Sequence, residues 1–270
     1  MIKKTIRYIF LPFIFVTGIL QSAGNEINKA DSLFNTRFVH FNKKTILTDS
    51  VAVNEAIRLY RHILRESSDK RITYEALWKL LQAYYFKGNF TTDNTEEKKE
   101  IFSTGIDIGE HYIDVFADSV EINCWLGILW GYWGEVHSSL AAARKGVPGK
   151  VKHYAEKTIE LDDHYLEAGG YRMLGRLHYM VPKIPLIMGW PSNDKSLRYL
   201  KKANEIAPDN LLNKLYLAET LYATGDKTTS KQFLQDIINN KKIVHDIIID
   251  TWAKNQAQIA MQKLFPINSE

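Results

Sequence analysis

The sequence predicts an all-α protein, a TPR-like α-solenoid of about ten helices in irregular pairs. Apolar residues recur three and four positions apart along most of the chain, and no segment alternates long enough to indicate a strand. Two consecutive segments also repeat with the roughly 34-residue period of tetratricopeptide repeats (TPRs). The 270 residues are 45% hydrophobic and 24% charged, which is typical of a globular protein with a substantial core.

The clearest repeat unit begins at residue 211 with "LLNKLYLAETLYATGDKTTSKQFLQDIINN". The preceding segment, "SLRYLKKANEIAPDN", fits the second half of a unit that begins at residue 177. A third unit begins near Leu166, which leaves about eleven residues more than one repeat requires. The excess falls on "MVPKIPLIMGWP", so residues 181–191 are predicted to be an apolar insertion between the two helices of one repeat.

Four further helices are predicted upstream, over residues 53–66, 72–90, 97–115 and about 120–140. The last of these is strongly apolar and carries Gly127, Gly131 and Gly134 on one face, where a neighbouring helix can approach closely. Its tryptophans are expected to fill adjacent volume. The helix is interpreted as a buried central element, and the wall of an apolar ligand cavity is the alternative.

Residues 1–24, "MIKKTIRYIFLPFIFVTGILQSAG", have the layout of a secretory signal peptide. The apolar run over residues 8–20 is shorter than the roughly 20 residues that a spanning helix needs. We therefore expect cleavage near Asn25, export to the periplasm or cell envelope, and one helical-repeat domain over residues 25–270. An uncleaved N-terminal membrane anchor is the alternative.

The charge balance argues against nucleic-acid binding. Removing the leader takes away three basic residues and lowers the net charge from +4 to +1, whereas nucleic-acid binding needs a dense basic field. The only cysteine, Cys124, lies in an apolar run and is expected to be a small buried hydrophobic residue.

Motifs for catalysis or cofactor binding are missing from the sequence. It contains no GxGxxG, no P-loop, no GxSxG and no HExxH, and its histidines lack the spacing of metal ligands. The run Asp162-Asp163-His164 is expected to cap the next helix, with an acid/base cluster as the alternative. We therefore expect a non-enzymatic protein without cofactor or metal.

Ligand or partner contacts are expected around the apolar insertion and on the apolar helix. Arg176 has two interpretations: a structural residue that pairs with a carboxylate or caps carbonyls, or an anion anchor at the mouth of an apolar pocket. The candidate binding residues are Trp130, Trp133, Arg176, Tyr179, Pro182, Pro185, Met188 and Trp190.

Four segments, "VKHYAEKTIELDDHY", "GRLHYMVPKIP", "SLRYLKKANEIAPDN" and "LYLAETLYATGD", resemble the T component of bacterial TRAP transporters. The resemblance covers roughly residues 100–240, and Asp162, Gly175, Pro182 and Pro185 match the family pattern. It implies an exported TPR-like protein that works beside a periplasmic solute-binding protein, self-assembles, and passes a small hydrophobic ligand. The sequence departs from that family in lacking the cysteine at which such proteins are lipidated.

Two functions follow from these observations. The first is a non-enzymatic exported binding or scaffold protein that is an accessory of a TRAP-type transport system, with a periplasmic solute-binding protein as partner. The alternative is a general TPR protein-interaction scaffold of the cell envelope that is unrelated to transport.

Overall fold

A computed structural model describes residues 24–181, 191–244 and 246–266. The expected signal peptide therefore lies outside the described residues except for Gly24, and so does the apolar insertion except for Val181 and Pro191. The all-α prediction is confirmed, since the described residues form twelve helices. Within the described ranges the β-type pairing is limited to one isolated bridge, between Asn42 and Leu47.

The helices are numbered in chain order, and α6 is a short connector. They are α1 (24–35), α2 (Val51–Glu66), α3 (Lys70–Phe90), α4 (Thr95–Tyr112), α5 (Val120–Val136), α6 (Ser139–Arg144), α7 (Val147–Leu161), α8 (Tyr165–Met180), α9 (Asn193–Ile206), α10 (Leu211–Ala223), α11 (Lys227–Asn239) and α12 (Ile247–Leu264).

Side-chain caps determine where many of these helices begin. The side chains of Asp69, Asn94, Ser119, Asn210 and Asp246 accept hydrogen bonds from first-turn backbone N–H groups of α3, α4, α5, α10 and α12. Such a cap stabilises a helix by about 1 kcal/mol because those N–H groups have no partner inside the helix. The helix starts are therefore largely a local property of the sequence.

The repeat phase read from the sequence is confirmed in the C-terminal half. The pair α10–α11 begins at Leu211, as predicted, and α8 ends at Met180 directly before the predicted insertion. Ser192 caps α9 by accepting a hydrogen bond from the backbone N–H of Lys195.

Two local predictions are wrong. The apolar helix ends at Val136 and not near residue 140, because His137 has extended backbone and the Ser138 side chain caps the separate helix α6. Asp162 does lie in the predicted turn and accepts a hydrogen bond from His164 N–H at 2.9 Å. No side chain caps the start of α8, however.

The helices form two rows. Helices α3, α5, α8, α10 and α12 contact one another in succession, and α2, α4, α7, α9 and α11 each pack between chain neighbours. Within the described residues no two helices of the second row share an extensive contact. The row in mutual contact therefore lies on the concave side of the solenoid, as in other stacked helical repeats. We call it the inner row.

The hydrophobic core is continuous through the first half of the chain and divides into smaller clusters in the second. The largest cluster joins buried side chains from α1 to α7, with Leu177 of α8 and Ile248 of α12. Separate clusters centre on Leu200 and on Leu234. Burying each large aliphatic or aromatic side chain contributes about 1.5–3 kcal/mol.

The two ends of the chain meet across the concave side. Arg37, which follows α1, donates a hydrogen bond to Asp246 at the start of α12, with 3.0 Å between Nη2 and Oδ2. The side chains are only 12% and 17% exposed, and the Arg37 guanidinium also lies 4.1 Å from the centre of the Phe34 ring. Because of this contact α12 reaches the first helices as well as the last ones.

An unusual backbone turn opens α8. Leu166, Glu167 and Ala168 have φ values of 49°, 54° and 65°, in the left-handed region that costs a residue with a side chain about 1–2 kcal/mol. The Arg172 guanidinium donates to the carbonyl oxygens of Leu166 and Glu167, and also to Asn213 Oδ1. The turn is therefore held by buried polar side chains from α8 and α10.

Candidate functional site: a hollow on the concave face

A hollow of about 140 Å³ opens on the concave face. Four successive helices of the inner row, α5, α8, α10 and α12, contribute to its wall. The side chains that line it are Tyr132, Glu135, Arg176, Leu215, Tyr216, Glu219, Trp252 and Gln256. The site is therefore a product of helix stacking and not of any single loop or repeat.

Helical spacing brings these side chains to one surface. On α5 the lining residues Tyr132 and Glu135 are three positions apart, and on α12 Trp252 and Gln256 are four apart. Residues at these spacings share one face of a helix. Each inner helix thus presents one short patch, and the stacking of the helices joins the patches.

Arg176 forms an ion pair in the wall of the hollow. Its Nη1 donates a hydrogen bond to Glu219 Oε2 of α10, and its guanidinium lies 4.4 Å from the centre of the Tyr216 ring. This geometry matches the first interpretation of Arg176, a structural residue that pairs with a carboxylate. The Nε atom is buried and has no hydrogen-bond partner within the described residues.

Glu135 forms no hydrogen bond and no ion pair with any residue that the structure describes. Partial loss of hydration raises the pKa of Glu135, with the negative charge of Glu219 adding to the shift and the positive charges of Arg176 and Lys98 opposing it. Since Glu219 is already paired with Arg176, the lining residues have two carboxylates for one guanidinium, and Lys98 acts on Glu135 only through its charge.

An aromatic cluster continues from the hollow along the inner row. The ring centres of Tyr85 and Tyr132 are 5.4 Å apart, and Tyr85 lies at the same distance from Trp125. Burial raises the pKa values of Tyr85, Tyr132 and Tyr216, so the three phenols stay protonated at neutral pH. The concave face therefore combines aromatic rings with hydroxyl groups and few charges.

The structure brings together only part of the predicted site. Arg176 lines the hollow, and its guanidinium also lies 5.5 Å from the centre of the Tyr179 ring. Trp130 and Trp133 lie on the side of α5 that faces α4, where their indole N–H groups donate to Glu110 and Ser103. The remaining predicted residues, Pro182, Pro185, Met188 and Trp190, lie outside the described residues.

Trp130 is only 1% exposed. Its ring also receives the Lys150 ammonium group at 4.4 Å from the ring centre. It therefore supports the concave face from behind. Cys124 is buried as predicted, and loss of hydration raises the pKa of its thiol to about 12.

Sequence reasoning missed the rest of the hollow: Tyr132, Glu135, Leu215, Tyr216, Glu219, Trp252 and Gln256. The available signal was their helical spacing, because the lining residues that each helix contributes fall on one face of that helix. Phase alone does not say which face of a solenoid helix is concave. That assignment needs the contacts between successive inner helices.

A second cavity, of about 180 Å³, lies near the start of the chain. It is lined by Gly24, Ile27, Asn28, Arg71, Ile72 and Glu75.

Among the residues that the structure describes, no group of three or more His, Cys, Asp or Glu side chains could hold a metal ion. None of the described helices has the length and apolar character needed to cross a membrane.

Comparison with known proteins identifies the family. The sequence model of the family described as "Regulator of microtubule dynamics protein 1-3" matches residues 40–265, which is most of the chain. The chain belongs to this family. No significant match was found among the curated proteins.

A solved structure supports the fold independently. The crystal structure of a thermophilic TPR protein from Thermus thermophilus superposes with a TM-score of 0.58 and 12% sequence identity. The match covers 88% of this chain and 99% of the other. The similarity confirms a TPR-like α-solenoid.

Proposed function

We propose that this protein is a non-enzymatic scaffold that binds a protein partner on its concave face. The observation that carries the proposal is the hollow shared by four successive inner helices, which sets aromatic rings and charged groups on the surface that solenoids use for recognition. A TPR-like fold with such a face has the features of an interaction module.

The chemistry of the hollow supports binding over catalysis. Its lining contains no serine, cysteine or histidine that could serve as nucleophile or base. The guanidinium of Arg176 and the carboxylate of Glu219 are already paired, and Glu135 has no hydrogen-bonded neighbour among the described residues to activate. Catalysis requires several polar groups that converge on one reacting atom, an arrangement that the lining residues do not form.

The cellular setting that we propose is the cell envelope. The leader-like residues 1–24 support export, and the resemblance to TRAP T components supports a periplasmic solute-binding protein as the partner. On this proposal the protein also handles a small hydrophobic ligand, as the resemblance implies.

A general envelope scaffold unrelated to transport is the second candidate. The TPR-like fold supports a protein-interaction scaffold without requiring a transport role, and the family description names regulation of microtubule dynamics. Both candidates require a protein-binding concave face. They differ only in the identity of the partner.

Photo-crosslinking from the concave face tests the proposal. A photoreactive amino acid is placed at Gln256 of α12, on the wall of the hollow. It is compared in living cells with one at Glu205, which is exposed on α9 in the second row of helices. We expect an adduct from position 256 and none from position 205. A solute-binding protein in the adduct supports the transport role, and another envelope protein supports the general scaffold.

Two results would contradict the proposal. Equal adducts from both positions would show that the concave face has no special role. The absence of any adduct at position 256, with the folded protein present at normal level, would argue against a protein partner in the hollow.

A further inference from the structure

We infer that the hollow accepts the cationic end of a lysine or arginine side chain that the protein partner presents. This inference rests on the proposed function, since it assigns the chemistry by which the concave face recognises its partner. It follows from the charges, the rings and the size of the hollow, which are taken in turn.

The charges of the hollow are unbalanced by one carboxylate. Glu135 and Glu219 each contribute a negative charge to the wall, and Arg176 contributes the one positive charge among the lining residues. Glu219 holds Arg176 by a hydrogen bond, and nothing in the described chain bonds to Glu135. A cation that enters the hollow would gain a charge-assisted contact that the described part of the protein does not provide for itself.

The aromatic residues favour the same kind of ligand. Tyr132, Tyr216 and Trp252 line the hollow on three different helices, and aromatic rings attract cations through their negative faces. Tyr216 already receives a cation within the protein, because the Arg176 guanidinium lies 4.4 Å from its ring centre. Three rings and an available carboxylate form a suitable lining for an ammonium or guanidinium group.

The size of the hollow limits the ligand to a side-chain end. A volume of about 140 Å³ is close to that of an engineered protein cavity of about 150 Å³ that binds one benzene molecule. That space holds an ammonium or guanidinium group with part of its aliphatic stem, and it excludes a folded segment. The rest of the partner would lie along the concave face outside the hollow.

An acidic ligand fits the same residues poorly. The charge of Arg176 is neutralised by Glu219, so an incoming carboxylate would have to displace that side chain. It would also approach the negative charge of Glu135, which is exposed to solvent in the hollow, and like charges repel. The hollow thus discriminates by charge sign.

Short peptides test the inference directly. The probes are N-acetylated, C-amidated Gly-Gly-X-Gly-Gly with lysine, norleucine or glutamate at X, titrated against the full protein while the indole N–H signal of Trp252 is followed by NMR. We expect saturable shifts with the lysine peptide and at least tenfold weaker binding of the norleucine and glutamate peptides. Raising the salt concentration should weaken binding of the lysine peptide.

Two variants locate the effect. Glu135→Gln keeps the shape of the side chain and removes its charge, and we expect at least tenfold weaker binding of the lysine peptide. Glu205→Gln on α9, in the second row of helices, is the matched control and should bind the lysine peptide like the unmodified protein. Circular dichroism of both variants establishes that they are folded.

The outcomes separate this inference from the proposed function. Equal binding of the lysine and norleucine peptides, stronger binding of the glutamate peptide, or no effect of Glu135→Gln would each overturn it. A crosslinked partner at Gln256 would still uphold the scaffold proposal in any of those cases. The absence of any crosslinked partner at position 256 would instead contradict the scaffold proposal itself.

Discussion

The two halves of the solenoid are held together by different chemistry. In the first half, large rings meet between helices, as in the pairs Phe34–Phe86 and Phe102–Tyr132 with ring centres 5.9 and 5.7 Å apart. In the second half, small hydroxyl side chains cross between helices. Ser196 Oγ donates to the Gly175 carbonyl at 2.8 Å, and Ser230 Oγ donates to the Ala218 carbonyl at 2.7 Å.

The difference bears on how precisely each half fixes the spacing of its helices. Large apolar side chains repack with modest losses, so they tolerate helices of varied length and angle. Buried hydrogen bonds require one geometry, because an unpaired buried polar group costs about 1–3 kcal/mol. The repeat phase that begins at Leu211 therefore lies where polar contacts fix the spacing.

Trp130→Ala should produce the largest loss of stability. The side chain is only 1% exposed in the aromatic core, and truncation of a buried tryptophan typically costs about 3–5 kcal/mol. Urea denaturation followed by circular dichroism measures the loss. Val51→Ala, at a residue that is 74% exposed, is the control and should change stability little; equal losses for both variants would contradict the assignment of Trp130 to the core.

Asn213→Ala should cost about 2–3 kcal/mol, because it leaves several buried groups unpaired. Its side chain accepts from Arg172 and donates to the carbonyl oxygens of Glu167 and Ala203. Asn204→Ala is the matched control, since Asn204 Oδ1 is buried without a hydrogen-bond partner in the described structure. Urea denaturation should show a large loss for the first variant and almost none for the second, and similar values would contradict a polar second half.

Gly175→Ala should destabilise the protein by about 1–3 kcal/mol through overpacking. A Cβ atom at this position would lie 2.4 Å from Leu200 Cγ of α9. The control is Gly131→Ala on α5, where nothing lies within 4 Å of the added atom. There the change should stabilise the helix by up to about 1 kcal/mol. Thermal unfolding compares the two variants. In a protein that already carries Leu200→Ala, the change Gly175→Ala should cause a smaller loss of stability.

Acidification should weaken the fold through His178 of α8. Its pKa is lowered below the ordinary value of 6.5, first by burial and then by the positive charges of Lys195, Lys152 and Arg198, against a small opposing effect of Glu156. The unfolded chain therefore takes up the proton first, and stability falls as the pH drops below about 6.5. Melting temperatures at pH 8 and pH 5 should differ less for His178→Gln than for the unmodified protein; an unchanged difference would rule out this histidine as a source.

The sequence was sufficient for most helices of the fold and insufficient for the binding site. The start of α10 at Leu211 and the end of α8 directly before the apolar insertion follow from local spacing, and both agree with the structure. Arg176 was found because an arginine near an apolar insertion is conspicuous. Glu135 and Trp252 gave no such signal, since each is an ordinary residue on an amphipathic helix.

Local sequence thus determined the helices, their caps and the phase of the last repeats, because these depend on residues within a few positions of one another. Tertiary structure alone decided which helix faces are concave and that Tyr132 meets Trp252 across one hollow. It also placed Arg37 against Asp246 and held three residues in a left-handed turn at the start of α8. These features arise from the curvature of the stacked helices, which sums small rotations over the whole chain and is encoded in no single segment.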